Sequence, residues 1–238
     1  MRTIFLGILI GILPCVTLAQ EISGTELLAK AIAYHDPSDR WQKFDASFFV
    51  QLKTPNSPER MSEVTIDLPN EFFNLSVEKD SITTQYTLDK DDCSFTICSK
   101  GNVQPTASSS FKEKCDRARL YKNYYTYLYG LPMKLKDPGT QIDEKVIRKE
   151  FKGKEYLVLR VSYDEAVGKD VWFFYFNPKS YALEMYQFFK GDPEKEGKNT
   201  GEYILLSEEK IIQDIRMPKV RAWYYNKNDE YLGTDILK

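Results

Sequence analysis

Histidine is almost absent from this chain: His35 is the only one among 238 residues. A lone imidazole rules out the His-Glu-x-x-His zinc helix. The glycine-rich turns that cradle phosphates are missing, as is the Gly-x-Ser-x-Gly nucleophile elbow. No charge of one sign dominates, since 33 Lys and Arg stand against 35 Asp and Glu, mixed along the chain. Without a basic patch there is no electrostatic footprint for nucleic acid. Glycine and proline are modest at 12 and 11, whereas Tyr and Phe number 16 and 14. That balance describes a packed globular chain rather than a disordered one.

The single long apolar run stands at the N-terminus. Met1-Arg2-Thr3 precedes an apolar stretch from Ile4 to Leu13, then Pro14, Cys15 and the run Val16 to Ala19. Charge, grease and small residues in that order make a secretory signal. A helix from Ile4 to Ala19 would rise about 24 Å at ~1.5 Å per residue, short of the ~30 Å hydrocarbon core. Cleavage is expected after Ala19, with residues 20–238 left as one exported domain without a transmembrane span, in the periplasm or at the periphery of the outer membrane. Lipidation at Cys15 is disfavoured, because Pro14 stands where that processing takes a small residue.

Three cysteines then remain, Cys93, Cys98 and Cys115. If Cys93 and Cys98 share one extended strand, about 16 Å separates their Cα atoms, too far for a disulfide, which tolerates less than ~7 Å. Gly101 and Pro105 let the chain turn and bring Cys115 back to either of them. The pairing of Cys98 with Cys115 is favoured and that of Cys93 with Cys115 is the alternative.

Leu27, Leu28, Ala31 and Ile32 recur at helical spacing between Gly24 and Tyr34, with Ser23 and Thr25 as cap candidates. From Trp41 onward the period falls to two. Phe48, Val50 and Leu52 share a face, then Val64, Ile66 and Leu68, then Phe73, Leu75 and Val77, Tyr86 and Leu88, and Cys93, Phe95 and Ile97. The interval Thr54 to Arg60 reads as a turn. Phe111 to Leu131 lacks Pro and Gly until Gly130 and predicts a helix, or two short ones, with a tyrosine stripe. Strands are expected again over 146–151, 156–163, 171–176, 181–189, 201–206, 211–217 and 221–225. Short turns between them build antiparallel meanders and leave no room for helical crossovers. Trp172 to Phe176 is apolar throughout, which predicts a strand covered on both faces. The expected fold is mainly β with some α: a curved antiparallel sheet enclosing helices on its concave side.

Chemistry is sparse. His35 ends the first helix beside Asp36, where it complements the helix dipole or serves as a general base. Asp89, Asp91 and Asp92 lie in a turn, with Ser94 where a calcium loop from Asp89 would need glycine. Glu208 with Glu209, and Asp164 with Glu165, are adjacent pairs whose members would point apart on a strand. No catalytic residue, metal ligand or cofactor follows. The aromatic surplus fits core packing first, and an apolar cavity on the concave face second.

The stretches Leu135-Lys-Asp-Pro-Gly-Thr-Gln, Phe151-Lys-Gly-Lys-Glu-Tyr-Leu-Val-Leu-Arg-Val and Val167-Gly-Lys-Asp-Val-Trp-Phe-Phe-Tyr-Phe-Asn-Pro resemble exported Bacteroidetes proteins of the DUF6503 family. Ala33-Tyr-His-Asp with Trp41, and Ile215-Arg-Met-Pro-Lys with Trp223-Tyr, fit the same pattern. The resemblance implies a fold similar to the lipoprotein carriers LolA and LolB, in which a half-barrel sheet wraps over helices and its hollow holds acyl chains. Tyr121, Tyr124, Tyr125 and Leu128 on the helix, with Trp172, Phe174 and Trp223 on strands, are the candidate lining of such a hollow. The leading expectation is a non-enzymatic protein that binds a lipid, acyl chain or other apolar ligand. The alternatives are a structural domain that docks another envelope protein, and a hydrolase built around His35.

Overall fold

The computed structural model describes residues 21–99, 101–104 and 111–238. The expected signal segment, its cleavage site and Cys15 lie outside the described residues. The chain opens with α1 (Gly24–His35), capped by Ser23, whose Oγ accepts the Glu26 N–H at 3.1 Å. Leu27, Leu28 and Ala31 are buried at their helical spacing. Gly24 has a steric reason to be glycine: a Cβ there would meet the Asp143 carbonyl oxygen at 2.0 Å.

A first meander follows: β1 (Asp45–Thr54), β2 (Ser57–Asp67), β3 (Phe72–Lys79), β4 (Ile82–Asp89), β5 (Asp92–Ser99) and β6 (Asn102–Gln104). The expected tyrosine-rich helix is one continuous element, α2 (Phe111–Tyr129). Next come β7 (Thr140–Ile142) and β8 (Ile147–Phe151). A second meander runs through β9 (Lys154–Tyr163), β10 (Val171–Phe176), β11 (Leu183–Phe189), β12 (Glu202–Ile212), β13 (Ile215–Tyr225) and β14 (Tyr231–Leu237). Among the described residues, all fourteen strands join one open, curved sheet, and every pairing is antiparallel. Sequence neighbours are spatial neighbours within each meander, but β14 returns to lie between β13 and β1 and so joins the two. The free edges are β6 on one side and β9 with its short partners β7 and β8 on the other.

Several strand limits differ from the sequence reading, which also holds no counterpart of the short β6 and β7. The expected strand over 211–217 is instead the end of β12 and the start of β13, with a turn between them where Gln213 and Asp214 take φ of 49° and 66°. Two successive positive φ values make the tight hairpin turn that matches strand twist, and its usual signal, a glycine, is absent here. Arg60 belongs to β2, opposite Leu52, rather than to a turn. The C-terminal strand β14 was not anticipated at all; Gly233 and Asp235 interrupt its apolar pattern.

The inner face carries the main core. Val64, Ile66, Phe73, Leu75, Tyr86 and Leu88 from β2 to β4 pack with Ala118, Tyr125, Leu128 and Tyr129 of α2. Each such large side chain contributes roughly 1.5 to 3 kcal/mol on burial. A smaller cluster of Tyr156, Val158, Tyr175, Met185 and Tyr203 covers the opposite face, with Phe151 and Phe173 against it. This second cluster is why β10 is apolar at every position.

The disulfide joins Cys93 to Cys115, with 5.9 Å between their Cα atoms, and Cys98 is free. The favoured pairing with Cys98 is therefore wrong, and the reason is strand parity. Cys93 shares the inner face with Phe95, against which α2 packs. Cys98, five residues further along β5, points to the opposite face and cannot reach the helix. The bridge closes a loop with a sequence separation of 22, so it is expected to stabilise the fold by about 3 kcal/mol. Denaturant titration of Cys115→Ala should show a loss of about that size, while Cys98→Ala leaves the midpoint close to that of the native chain.

Candidate functional site

The candidate residues meet on the inner face, where α2 crosses the sheet, but they occupy two environments. Tyr125, Leu128 and Phe174 are part of the sealed core. Tyr121, Trp172 and Trp223 are half-buried, and Tyr124 remains 39% exposed. Tyr124, Trp172 and Trp223 belong to a continuous aromatic wall, whereas Tyr121 meets Tyr86 of the first meander edge-on. Tyr124 stacks on Trp223 at 6.3 Å between centroids, and Trp223 meets Tyr186 edge-on at the same distance. Trp172 lies 6.0 Å from Tyr186, stacks on Phe188 at 4.8 Å and takes Tyr127 edge-on at 5.6 Å. Tyr127 in turn shares a hydroxyl contact with Tyr163 of β9.

Cross-strand register builds this wall. Phe174, Tyr186, Ile204 and Trp223 stand opposite one another in a single row across β10, β11, β12 and β13. Directly opposed residues on antiparallel strands share a face, so alternate positions of four strands deliver one apolar surface. Three grooves also open elsewhere on the described residues, the most spacious of ≈ 680 Å³ between residues 21–22, 145–148 and Tyr181. None of the three is lined by the wall residues.

Next to the wall lies a polar group that sequence reasoning missed. Arg221 of β13 is 1% exposed, with its guanidinium 3.9 Å from the centroid of the Tyr129 ring. Its Nη1 donates to the Pro218 carbonyl at 2.8 Å and its Nη2 to the Leu128 carbonyl at 3.4 Å, while its Nε has no partner. Asp235 of β14, 8% exposed, stands opposite Arg221 and accepts the Trp223 Nε1–H at 3.1 Å. Burial pushes the Asp235 carboxyl up, and the neighbouring Arg221, the Trp223 hydrogen bond and Arg60 pull it back. The Tyr124 hydroxyl, close to Asp235 and Tyr186, is held protonated far above its usual range by the same desolvation. One signal in the sequence pointed here: Arg221 falls at the parity of Met217 and Trp223, a charge at an inward position of an apolar strand.

His35 is buried and fully used. Its Nδ1 donates to the Arg216 carbonyl at 2.6 Å and its Nε2 accepts the Leu183 N–H at 2.9 Å, which pins α1 to β13 and β11. Both nitrogens are committed to backbone, so neither is available for base catalysis. Asp36 is likewise structural, accepting the N–H groups of Arg40 and Trp41 at 2.7 and 2.8 Å.

The curved sheet with a helix across its inner face places the chain among LolA-like folds. It is similar to a LolA superfamily protein from Nitrosomonas europaea, with a TM-score of 0.51, 12% identity, and coverage of 91% of this chain and 92% of that one. A DUF1329 family protein from Desulfovibrio piger gives a TM-score of 0.52 at 7% identity, with coverage again of 91% and 92%. At such identities the likeness is one of fold. No curated protein matches the sequence. The chain belongs to the family of unknown function DUF6503, whose family model matches residues 2–237.

The His35 geometry has a consequence for stability. Burial holds its pKa below the ordinary 6.5, against the pull of the Arg216 carbonyl and Glu209. Neutral imidazole is the form that fits, so its contribution is complete above pH 6.5 and is lost as the unfolded chain takes up a proton below it. Between pH 7.5 and 5.5, the native chain should lose about 1 kcal/mol more unfolding free energy than His35→Gln. Equal losses in the two proteins, measured by urea titration, would remove this assignment.

Proposed function

We infer that the chain is a non-enzymatic, exported carrier that binds a lipid or another apolar molecule on the inner face of its sheet, beside α2. The observation that supports this most is the half-open aromatic wall of Tyr124, Tyr127, Trp172, Phe188 and Trp223. These rings form one contiguous surface, whereas Tyr125 and Phe174 beside them are sealed. Apolar ligand sites are lined mainly by aromatic and aliphatic side chains with a few polar groups to fix orientation. The LolA-like fold agrees with this reading by analogy, and fold alone does not assign function. The N-terminal signal read from the sequence supplies the expected destination, the periplasm or the outer-membrane periphery.

Gentle purification of the chain from its envelope, followed by mass spectrometry, should recover an apolar molecule in stoichiometric amount. In a direct assay, 1-dodecanol should quench the fluorescence of Trp172 and Trp223 saturably. The double variant Tyr124→Ala/Trp172→Ala should weaken this binding about tenfold or more, while Ile211→Ala, on an exposed strand position away from the wall, should not. An empty protein that also fails to respond to dodecanol would favour docking to another envelope protein instead.

A further inference from the structure

The polar group beside the aromatic wall is electrostatically incomplete. Arg60, Leu52, Asp235 and Arg221 lie opposite one another in sequence across β2, β1, β14 and β13. Three strand spacings of ~4.8 Å put the two arginine backbones about 14 Å apart. Both side chains are long enough to converge over Asp235 on the concave side, and both act on its carboxyl. Neither guanidinium forms an ion pair among the described residues. The Nε atoms of Arg60 and Arg221 and the hydroxyl of Tyr129 are buried without a hydrogen-bond partner. The Tyr186 hydroxyl lies near enough to interact with Arg221 and still lacks good hydrogen-bond geometry.

This arrangement is expensive for stability alone. Two arginines, one buried and one half-buried, against one aspartate leave a surplus positive charge in a partly desolvated place, and charge removed from water without a counter-charge is unfavourable. Unmade donors beside it add to the cost. An oxyanion placed among the two guanidinium groups and the Tyr129 hydroxyl would balance the charge and satisfy those donors. Guanidinium forks match the oxygens of a carboxylate or phosphate. The wall begins within the same group of residues, because Trp223 donates to Asp235 and also stacks on Tyr124. A molecule with an anionic head here would have its apolar tail on Trp223, Tyr186 and Trp172.

We propose that Arg60, Arg221 and Tyr129 form the head-group subsite for an anionic amphiphile, a carboxylate or phosphate carried on an alkyl chain. This rests on the carrier reading above and specifies the chemistry of what is carried. Asp235 acts against the ligand's charge and tempers the affinity, so that release stays possible.

The test compares dodecanoate, dodecyl phosphate and 1-dodecanol, each below micelle formation, by quenching of the tryptophans in the whole chain. One or both anions should bind about tenfold or more tightly than dodecanol, and the tighter of the two names the head group. Arg60→Gln, at a half-buried position, should bring the anions down to the dodecanol affinity and leave dodecanol unchanged. Asp235→Asn should strengthen the anions alone. Arg221→Met should act like Arg60→Gln where it folds, and the other two variants decide the matter where it does not. Equal affinity for all three compounds, or an anion preference that survives Arg60→Gln, would overturn the head-group assignment while the carrier reading stands. Failure of dodecanol and both anions to bind would remove both.

Discussion

The insertion of β14 between β13 and β1 is the contact on which the rest of the architecture depends. Val50 to Lys53 pair with Leu237 to Thr234 on one side, and Val220 to Trp223 pair with Ile236 to Gly233 on the other. Without that strand the chain would hold two meanders, each with an unpaired edge, and unpaired edges invite aggregation. With it, one inner face runs from β6 to β9. Helix α2 can then pack on β3, β4 and β5 while its far side meets Trp172 and Trp223 of the second meander. The same strand supplies Asp235, so closure of the sheet and assembly of the buried polar group are one event.

Sealed and open parts of the inner face divide along α2. Its N-terminal half is tied to β5 by the Cys93–Cys115 bridge, and its buried stripe of Ala118, Tyr125 and Leu128 packs against the first meander. On the other side, Tyr124 and Tyr127 meet a wall that is only partly covered. Stability and recognition thus draw on the same residue types and differ in what covers them. The polar group sits at the boundary between them, where Arg221 reaches from β13 to the Leu128 carbonyl of the helix.

Much of the fold was legible because strands and helices leave periodic marks. The parity of Phe73 and Leu75, or of Cys93 and Phe95, carried directly into the observed inner face, and the unbroken apolar run of β10 foretold its second cluster. That parity also held the answer to the disulfide, since Cys98 lies on the wrong face. Turns without glycine were less visible: Gln213 and Asp214 bend the chain with no sequence cue beyond the tolerance of Asp for positive φ. β14 was hidden by Gly233 and Asp235, and Arg60 by the prolines that precede it. These are the places where charged residues enter the trough, and hydrophobic periodicity is blind to them. The candidate aromatic residues lie on the inner face, but which are sealed and which half-open depends on how α2 lies across the strands, and no local pattern records that.

Native-state hydrogen exchange tests the account where it is most exposed. If β14 holds the two meanders together, the amides it donates to β1 and β13 should exchange only through global unfolding, with protection equal to that of the central pairs of β1 with β2 and β12 with β13. Rapid exchange along Thr234 to Leu237, with both meanders still protected, would show that the halves stand independently, and the continuous trough would have to be abandoned.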